Sequence, residues 1–257
     1  MKKIIINLIN ITFAIGLITL MSCESDIVSK SPDAMGSGTG VAGSLARFSV
    51  VGDYLYVVDD FSLNMYNVTQ ANNPTFVKTV NVGQGVETIF PFAGKLFIGS
   101  ASGLFIYDIA PDGTPEYISE YQHFTSCDPV ATDGEFAYVT LRNANDCNIN
   151  AGINVLEVID VSDIQNPVML MQYEMQSPMG VGIRNDILFV CDVDAGLKIF
   201  DAQNSPYLTP ITTLDIEARD VIMLETTALV LAPNKIFQVD FSDINDIKIV
   251  GSIRIEV

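Results

Sequence analysis

A short strand core returns along this chain at nearly constant intervals, and that repetition restricts the fold more than any other feature. It reads Leu55-Tyr56-Val57, Leu96-Phe97-Ile98, Ala137-Tyr138-Val139, Leu188-Phe189-Val190 and Leu229-Val230-Leu231, in steps of 41, 41, 51 and 41 residues. One spacing carries ten extra residues and the others agree. A recurring unit of this size cannot bury its own apolar face, so it must stack on its neighbours.

A second marker follows each core. Tyr66-Asn67, Tyr107-Asp108, Ile159-Asp160, Phe200-Asp201 and Val239-Asp240 place a large apolar residue before a short polar one, and Pro74, Pro115 and Pro167 lie seven residues beyond the polar residue in the first three repeats. An Asp or Asn leaving a strand binds the amides that follow and starts a turn, while Pro sets the approach to the next strand. These residues read as structural. The first unit divides into strands at about 46–51, 54–59, 64–68 and 75–82, rich in β-branched and aromatic residues. Four strands in about 41 residues predict a propeller blade. The expected fold is all-β: a β-propeller of five four-stranded blades at about 45–85, 86–127, 128–178, 179–219 and 220–257. A sandwich is the rival, but it needs no fixed period.

Residues 1–44 are of another kind. Lys2 and Lys3 precede an apolar run from Ile4 to Met21, which ends in Leu20-Met21-Ser22-Cys23. That ending resembles the lipobox of bacterial lipoproteins. The resemblance implies a signal peptide at 1–22, lipidation (diacylglycerol and palmitate-type acylation) at Cys23, and an outer-membrane or cell-surface location. The acidic Glu24-Ser25-Asp26 that follows is similar to the export signal of surface-exposed lipoproteins in the Bacteroidetes. An uncleaved membrane helix is the competing reading, since about 18 apolar residues just span a bilayer. From Cys23 to Ser44 the chain is rich in Ser and Gly, a flexible linker with a reach of roughly 25 Å.

The repeats themselves resemble the LVIVD-repeat family of bacterial, Bacteroidetes-type proteins. The carrying residues are Gly103-Leu104-Phe105-Ile106-Tyr107-Asp108, Leu156-Glu157-Val158-Ile159-Asp160-Val161-Ser162-Asp163 with Asn166-Pro167, and Gly196-Leu197-Lys198-Ile199-Phe200-Asp201. The resemblance implies a propeller-like, secreted or lipid-anchored protein and no particular reaction. Repeat five departs most, with Ala232-Pro233-Asn234-Lys235 in place of Gly-Leu.

Alternating strand direction puts the second-to-third-strand loops and the blade-to-blade connections on one face, and the stereotyped Asp and Pro turns on the other. The ten-residue insertion, around Arg142–Asn148, falls on the first of these faces. Cys127 and Cys147 meet there and predict a disulfide in an oxidising compartment, enclosing about 20 residues and contributing about 3 kcal/mol. Both being free, or competition from Cys191, are the alternatives, although Cys191 reads as a buried apolar residue. The same face is expected to carry Asp59, Asp60, Glu87, Asp128, Arg142, Asn143, Asp192, Asp194, Arg219 and Asp220. Asp192-x-Asp194-x-Gly196 resembles part of a calcium loop but lacks a third acidic position and the closing Glu, and a hairpin turn is the expected reading.

With residues 1–22 removed, 13 − 2 = 11 basic side chains face 31 acidic ones, a net −20. Nucleic acid is therefore not an expected partner. His123 is the single histidine, there is no nucleophile elbow, zinc motif or P-loop, and no metal or cofactor is implied. The expected function is a non-enzymatic binding or scaffold module, held at the membrane by its lipid and engaging a protein or glycan through the insertion-bearing face. The alternative is a carbohydrate-active hydrolase or lyase using carboxylates at the channel mouth.

Overall fold

A computed structural model of the chain describes residues 43–122, 129–143 and 153–255. Its strands form five antiparallel sheets, each of four strands paired in simple sequence order. Blade one contains β1 (Phe48–Val51), β2 (Tyr54–Val58), β3 (Ser62–Asn67) and β4 (Thr75–Asn81). Blade two contains β5 (Val86–Phe92), β6 (Lys95–Ser100), β7 (Gly103–Ile109) and β8 (Pro115–Gln122). Blade three contains β9 (Val130–Thr132), β10 (Phe136–Leu141), β11 (Val155–Asp160) and β12 (Val168–Glu174). Blade four contains β13 (Pro178–Arg184), β14 (Ile187–Asp192), β15 (Gly196–Asp201) and β16 (Thr209–Leu214). Blade five contains β17 (Asp220–Met223), β18 (Thr227–Ala232), β19 (Lys235–Asp240) and β20 (Lys248–Arg254). The architecture is the propeller that the period predicts, and blade five is complete despite its divergent residues.

The second strand of each blade is the keel. In blades two, three and four it is covered on both sides, and alternate residues of the strand enter two different cores. Tyr56, Phe97, Tyr138 and Phe189 occupy the same position in the first four blades, face the next blade, and are exposed by at most 1%. Removing such a buried ring costs about 3–5 kcal/mol. The two tyrosines also spend their hydroxyls across the interface: Tyr56 donates to the Gly113 carbonyl at 2.7 Å, and Tyr138 lies 2.8 Å from the Ser205 hydroxyl. Four apolar clusters result, joining blades one and two, two and three, three and four, and four and five. Among the described residues no such cluster joins blade five to blade one.

Register shows one departure from the sequence reading. Ile187 pairs with Asp201 in blade four, and Thr227 pairs with Asp240 in blade five. The counterpart of Leu188 is therefore Ala228, not Leu229, and the last step is 228 − 188 = 40 residues. A one-residue slip exchanges the two faces of a strand. Ala228 and Val230 pack on blade four, while Leu229 and Leu231 point to the uncovered side.

Every blade also carries a β-bulge at the same place, between the third and fourth strands and just before the marker Asp or Asn. The extra residues are Val77, Ile118, Leu170, Ile211 and Val250. In the first three blades each stands three residues after the marker Pro, so the Pro and the bulge belong to one device that ends pairing and bends the outer strand. The marker residue itself behaves as expected. Asn67, Asp160, Asp201 and Asp240 accept the amide two residues on, from Thr69, Ser162, Gln203 and Ser242. Asp108 instead pairs with Lys95 at 3.2 Å.

Hydrogen bonds from the Ser162 hydroxyl and amide hold the Asp160 carboxyl below the usual carboxylate range, and the Ser242 amide and hydroxyl do the same for Asp240. A carboxyl lowered by folding contributes stability above its unfolded value, and that contribution is lost as pH falls through the lowered one. Asp160→Ala and Asp240→Ala are each expected to lower the thermal midpoint at pH 7, with the difference from the parent shrinking toward pH 2 in a series of melts.

Candidate functional site

The inner strands β1, β5, β9, β13 and β17 surround the central axis, and the chain leading into β1 occupies it. Ser44 is buried there. Its hydroxyl accepts from the Val181 amide at 2.8 Å and donates to Asp220 Oδ1 at 3.2 Å. Two residues on, the Ala46 carbonyl accepts from the Ile89 amide of blade two at 2.9 Å. Residues 43–46 thus tie blades two, four and five together across the axis. The fit is close: a Cβ on Gly43 or Gly180 would lie 2.1 or 2.5 Å from an Asp220 carboxylate oxygen. Burial pushes the Asp220 carboxyl above the usual range, although the Val221 amide and the Ser44 hydroxyl oppose the shift. Asp220 is therefore a tie in the ring rather than a side chain offered to a ligand.

Around this plug, on the insertion-bearing face, lies a charged mouth. Arg47 precedes β1 and meets Asp60 of the β2–β3 turn at 2.9 Å. Its guanidinium also reaches the Val86 carbonyl at 3.4 Å. Glu87 of β5 is raised by burial, while Arg47 and Arg142 act in the opposite direction, so both guanidiniums bear on it. Asn143 follows Arg142 and donates its amide to Asn154 Oδ1 at 2.9 Å; Asn154 donates its Nδ2 to the Gln176 carbonyl at 2.7 Å. The base of the blade-three insertion is pinned by this asparagine. Arg219 is exposed and pairs with Glu217 at 3.3 Å.

The described residues among those expected on this face have different roles. Asn143, Asp194 and Arg219 are exposed, and Arg142 is half-buried. Asp192 is fully buried. It accepts from the amides of Gln176 at 2.9 Å and Ser177 at 2.6 Å, and pairs with Lys198 Nζ at 2.7 Å. Both its oxygens are engaged within the chain, and no described cluster of three or more His, Cys, Asp or Glu residues is arranged to hold a metal. Asp59, also expected on this face, is a turn acceptor. The Phe61 amide and the Ser62 hydroxyl hold its carboxyl down to about 2. Cys191 is a buried, free thiol. Cys23, His123, Cys127, Asp128 and Cys147 lie outside the described residues, and with them the expected disulfide.

Sequence reading missed Ser44, Arg47 and Lys198. A signal was available for Arg47: the chain has five arginines, and three of them (Arg47, Arg142 and Arg219) gather on this face of a molecule of net charge −18. The opposite face, that of the stereotyped turns, carries a cleft. It measures about 640 Å³ and lies between blades four and five, with Asp186, Asp201, Glu225 and Asp243 among its lining residues.

The family described as LVIVD repeat matches residues 42–81, which is blade one. No curated protein matches the chain. Among solved structures, a functionally unknown protein from Desulfotomaculum acetoxidans is similar at 12% identity with a TM-score of 0.63, covering 83% of this chain and 69% of that one. The periplasmic gluconolactonase PpgL of Pseudomonas aeruginosa is similar at 15% identity with a TM-score of 0.58, covering 79% and 68%. The computationally designed Ika8 protein gives 11% and 0.59, covering 81% and 61%. At these identities the likeness shows the fold alone, and the chain spans about two thirds of each neighbour's length.

Removing one side of a buried, hydrogen-bonded charge costs about 3–5 kcal/mol, and orphaning a buried amide costs about 1–3 kcal/mol. Asp192→Ala is expected to fall in the first range and Ser44→Ala in the second, measured by urea unfolding. Calcium and chelator are expected to leave both midpoints unchanged.

Proposed function

We propose that this protein is a non-enzymatic binding module of the cell envelope, held by a lipid on Cys23 and engaging a protein or glycan through the face that carries the blade-three insertion. The observation that carries the reading is the filled axis ringed by arginine. Residues 43–46 occupy the space where a deep axial pocket would otherwise lie, and Arg47, Arg142 and Arg219 stand around its mouth on an otherwise strongly acidic chain. These arginines, paired with Asp60 and Glu217 or set beside Glu87, are side chains that an acidic partner could engage on an otherwise acidic body. A disulfide between Cys127 and Cys147 would stiffen the insertion and reduce the cost of ordering it on binding.

The carboxylates of the mouth are poorly suited to general acid–base work. Asp60 is paired with Arg47, and Asp220 is bound to the plug. The second reading, a carbohydrate-active hydrolase or lyase, draws support from the four carboxylates of the opposite cleft. The two readings predict opposite mutational maps. Under the first, Arg142→Glu combined with Arg219→Glu abolishes retention of the envelope component captured by the parent protein, while Asp186→Asn with Glu225→Gln leaves it intact. Identical captures by the parent and the arginine variant would defeat the binding reading. Release of reducing sugar from envelope polysaccharide, lost in the cleft variant, would establish the second.

The tether has its own test. Labelled palmitate is expected to enter the parent chain and not Cys23→Ser, and the variant is expected to leave the membrane fraction. Equal labelling of the two would refute lipidation at this residue.

A further inference from the structure

Between the outer strands of blades three and four lies a cavity of about 290 Å³, apart from both the arginine mouth and the acidic cleft. Strand alternation sets its two walls. Tyr173 and Met175 of β12 face blade four, while Lys198 and Phe200 of β15 face blade three. The Tyr173 hydroxyl donates to the Pro206 carbonyl at 2.8 Å and accepts from the Leu208 amide at 2.7 Å, so its ring is what is left to line the space. The Phe200 ring stands 6.4 Å away, tilted by 46°. At the other end, Lys198 Nζ meets Asp192 at 2.7 Å and the Met175 sulfur at 3.4 Å. An ammonium has three donors, so one remains. The hydroxyl of Thr213, the neighbour of Lys198 across the ladder, has no partner among the described residues. The corresponding place between blades two and three is arranged differently: Tyr121, the counterpart of Tyr173, is turned to Glu157, the counterpart of Lys198.

We propose that this cavity is a subsite for one neutral pyranose ring, the terminal sugar of a glycan. The polarised C–H face of such a ring packs on aromatic faces, which carry the negative side of a quadrupole. Its hydroxyls take up the remaining Lys198 donor and the Thr213 hydroxyl. The size suits a single ring, since ligand pockets generally measure about 300–1,000 Å³ and this one stands at the lower limit. Charge selects against an acid. Lys198 is already neutralised by the buried Asp192, and Glu174 adds a carboxylate to the lining, so the local balance is negative. An apolar ligand fits no better, because it would strip water from the Lys198 ammonium and return no hydrogen bond. The site is separate from the arginine mouth, and the inference stands whether or not that mouth binds an acidic partner.

The test uses the full chain in a detergent without a sugar headgroup. Methyl glycosides of glucose, galactose, mannose and N-acetylglucosamine are titrated into protein with labelled methionine methyl groups, beside glucuronate and phenol as charged and apolar comparisons. At least one neutral glycoside is expected to shift the Met175 methyl resonance saturably, assigned with Met175→Leu, while that of Met65, buried between blades one and two, stays in place. Thr213→Val is expected to weaken binding about fivefold, the loss of one hydrogen bond. Thr213→Trp is expected to abolish it by filling the cavity; Thr213 is exposed on an outer strand, and unchanged circular dichroism verifies that both variants fold. Arg142→Glu with Arg219→Glu is expected to leave binding as it is in the parent. The proposal would be overturned by the absence of a saturable shift with every neutral glycoside, by tighter binding of glucuronate or phenol, by a Thr213→Trp variant that binds as the parent does, or by loss of the shift in the arginine variant.

Discussion

Burial of a sheet on both of its faces is the interaction on which everything else in this molecule depends. A four-stranded sheet of this length exposes two apolar surfaces, and each blade solves half of its neighbour's problem. The ring of Tyr56, Phe97, Tyr138 or Phe189 enters the next blade's core, while in blades two, three and four alternate residues of the same strand enter the previous one. Stability is therefore distributed over four interfaces and cannot be localised in one centre. It follows that the two terminal blades are the places where the physics is unfinished. The chain answers at the axis with the Ser44–Asp220 tie.

Turn chemistry keeps the stack in register. An Asp or Asn that captures the amide two residues on ends the third strand at a defined place, and the bulge beside it re-aims the fourth. Both are local, inexpensive in residues and repeated, so the same bend recurs around the axis. The face bearing these turns also holds the cleft between blades four and five. The other face gains its character from what is not repeated: an insertion in one blade, three arginines and a buried Asp192–Lys198 pair.

The architecture was legible because period and alternation are properties of the chain itself. Strand cores, turn residues and the polarity of the two faces could all be read in this way. The failures have a common origin. Leu229-Val230-Leu231 looks like the other strand cores, yet pairing of Thr227 with Asp240 shifts it by one residue, and only the ladder reveals that both leucines face away from blade four. Asp192 and Asp220 look like exposed face carboxylates, yet each is claimed by amides from another part of the chain. Ser44 was assigned to a linker, since nothing in a Gly- and Ser-rich stretch indicates that its last residue will sit on the axis of a ring.

By itself, the sequence determined that this protein is a stack of five like units, that each is a small antiparallel sheet, and that one unit carries an insertion on a particular face. Those are consequences of spacing and of residue alternation, which act over a few dozen residues. Tertiary structure alone decided which carboxylates are spent on the scaffold and how the axis is filled. Each of these depends on contacts between residues far apart in the chain, from 15 residues for Asp192 and Ser177 to 176 for Ser44 and Asp220. At such separations, packing geometry rather than local pattern determines which groups meet.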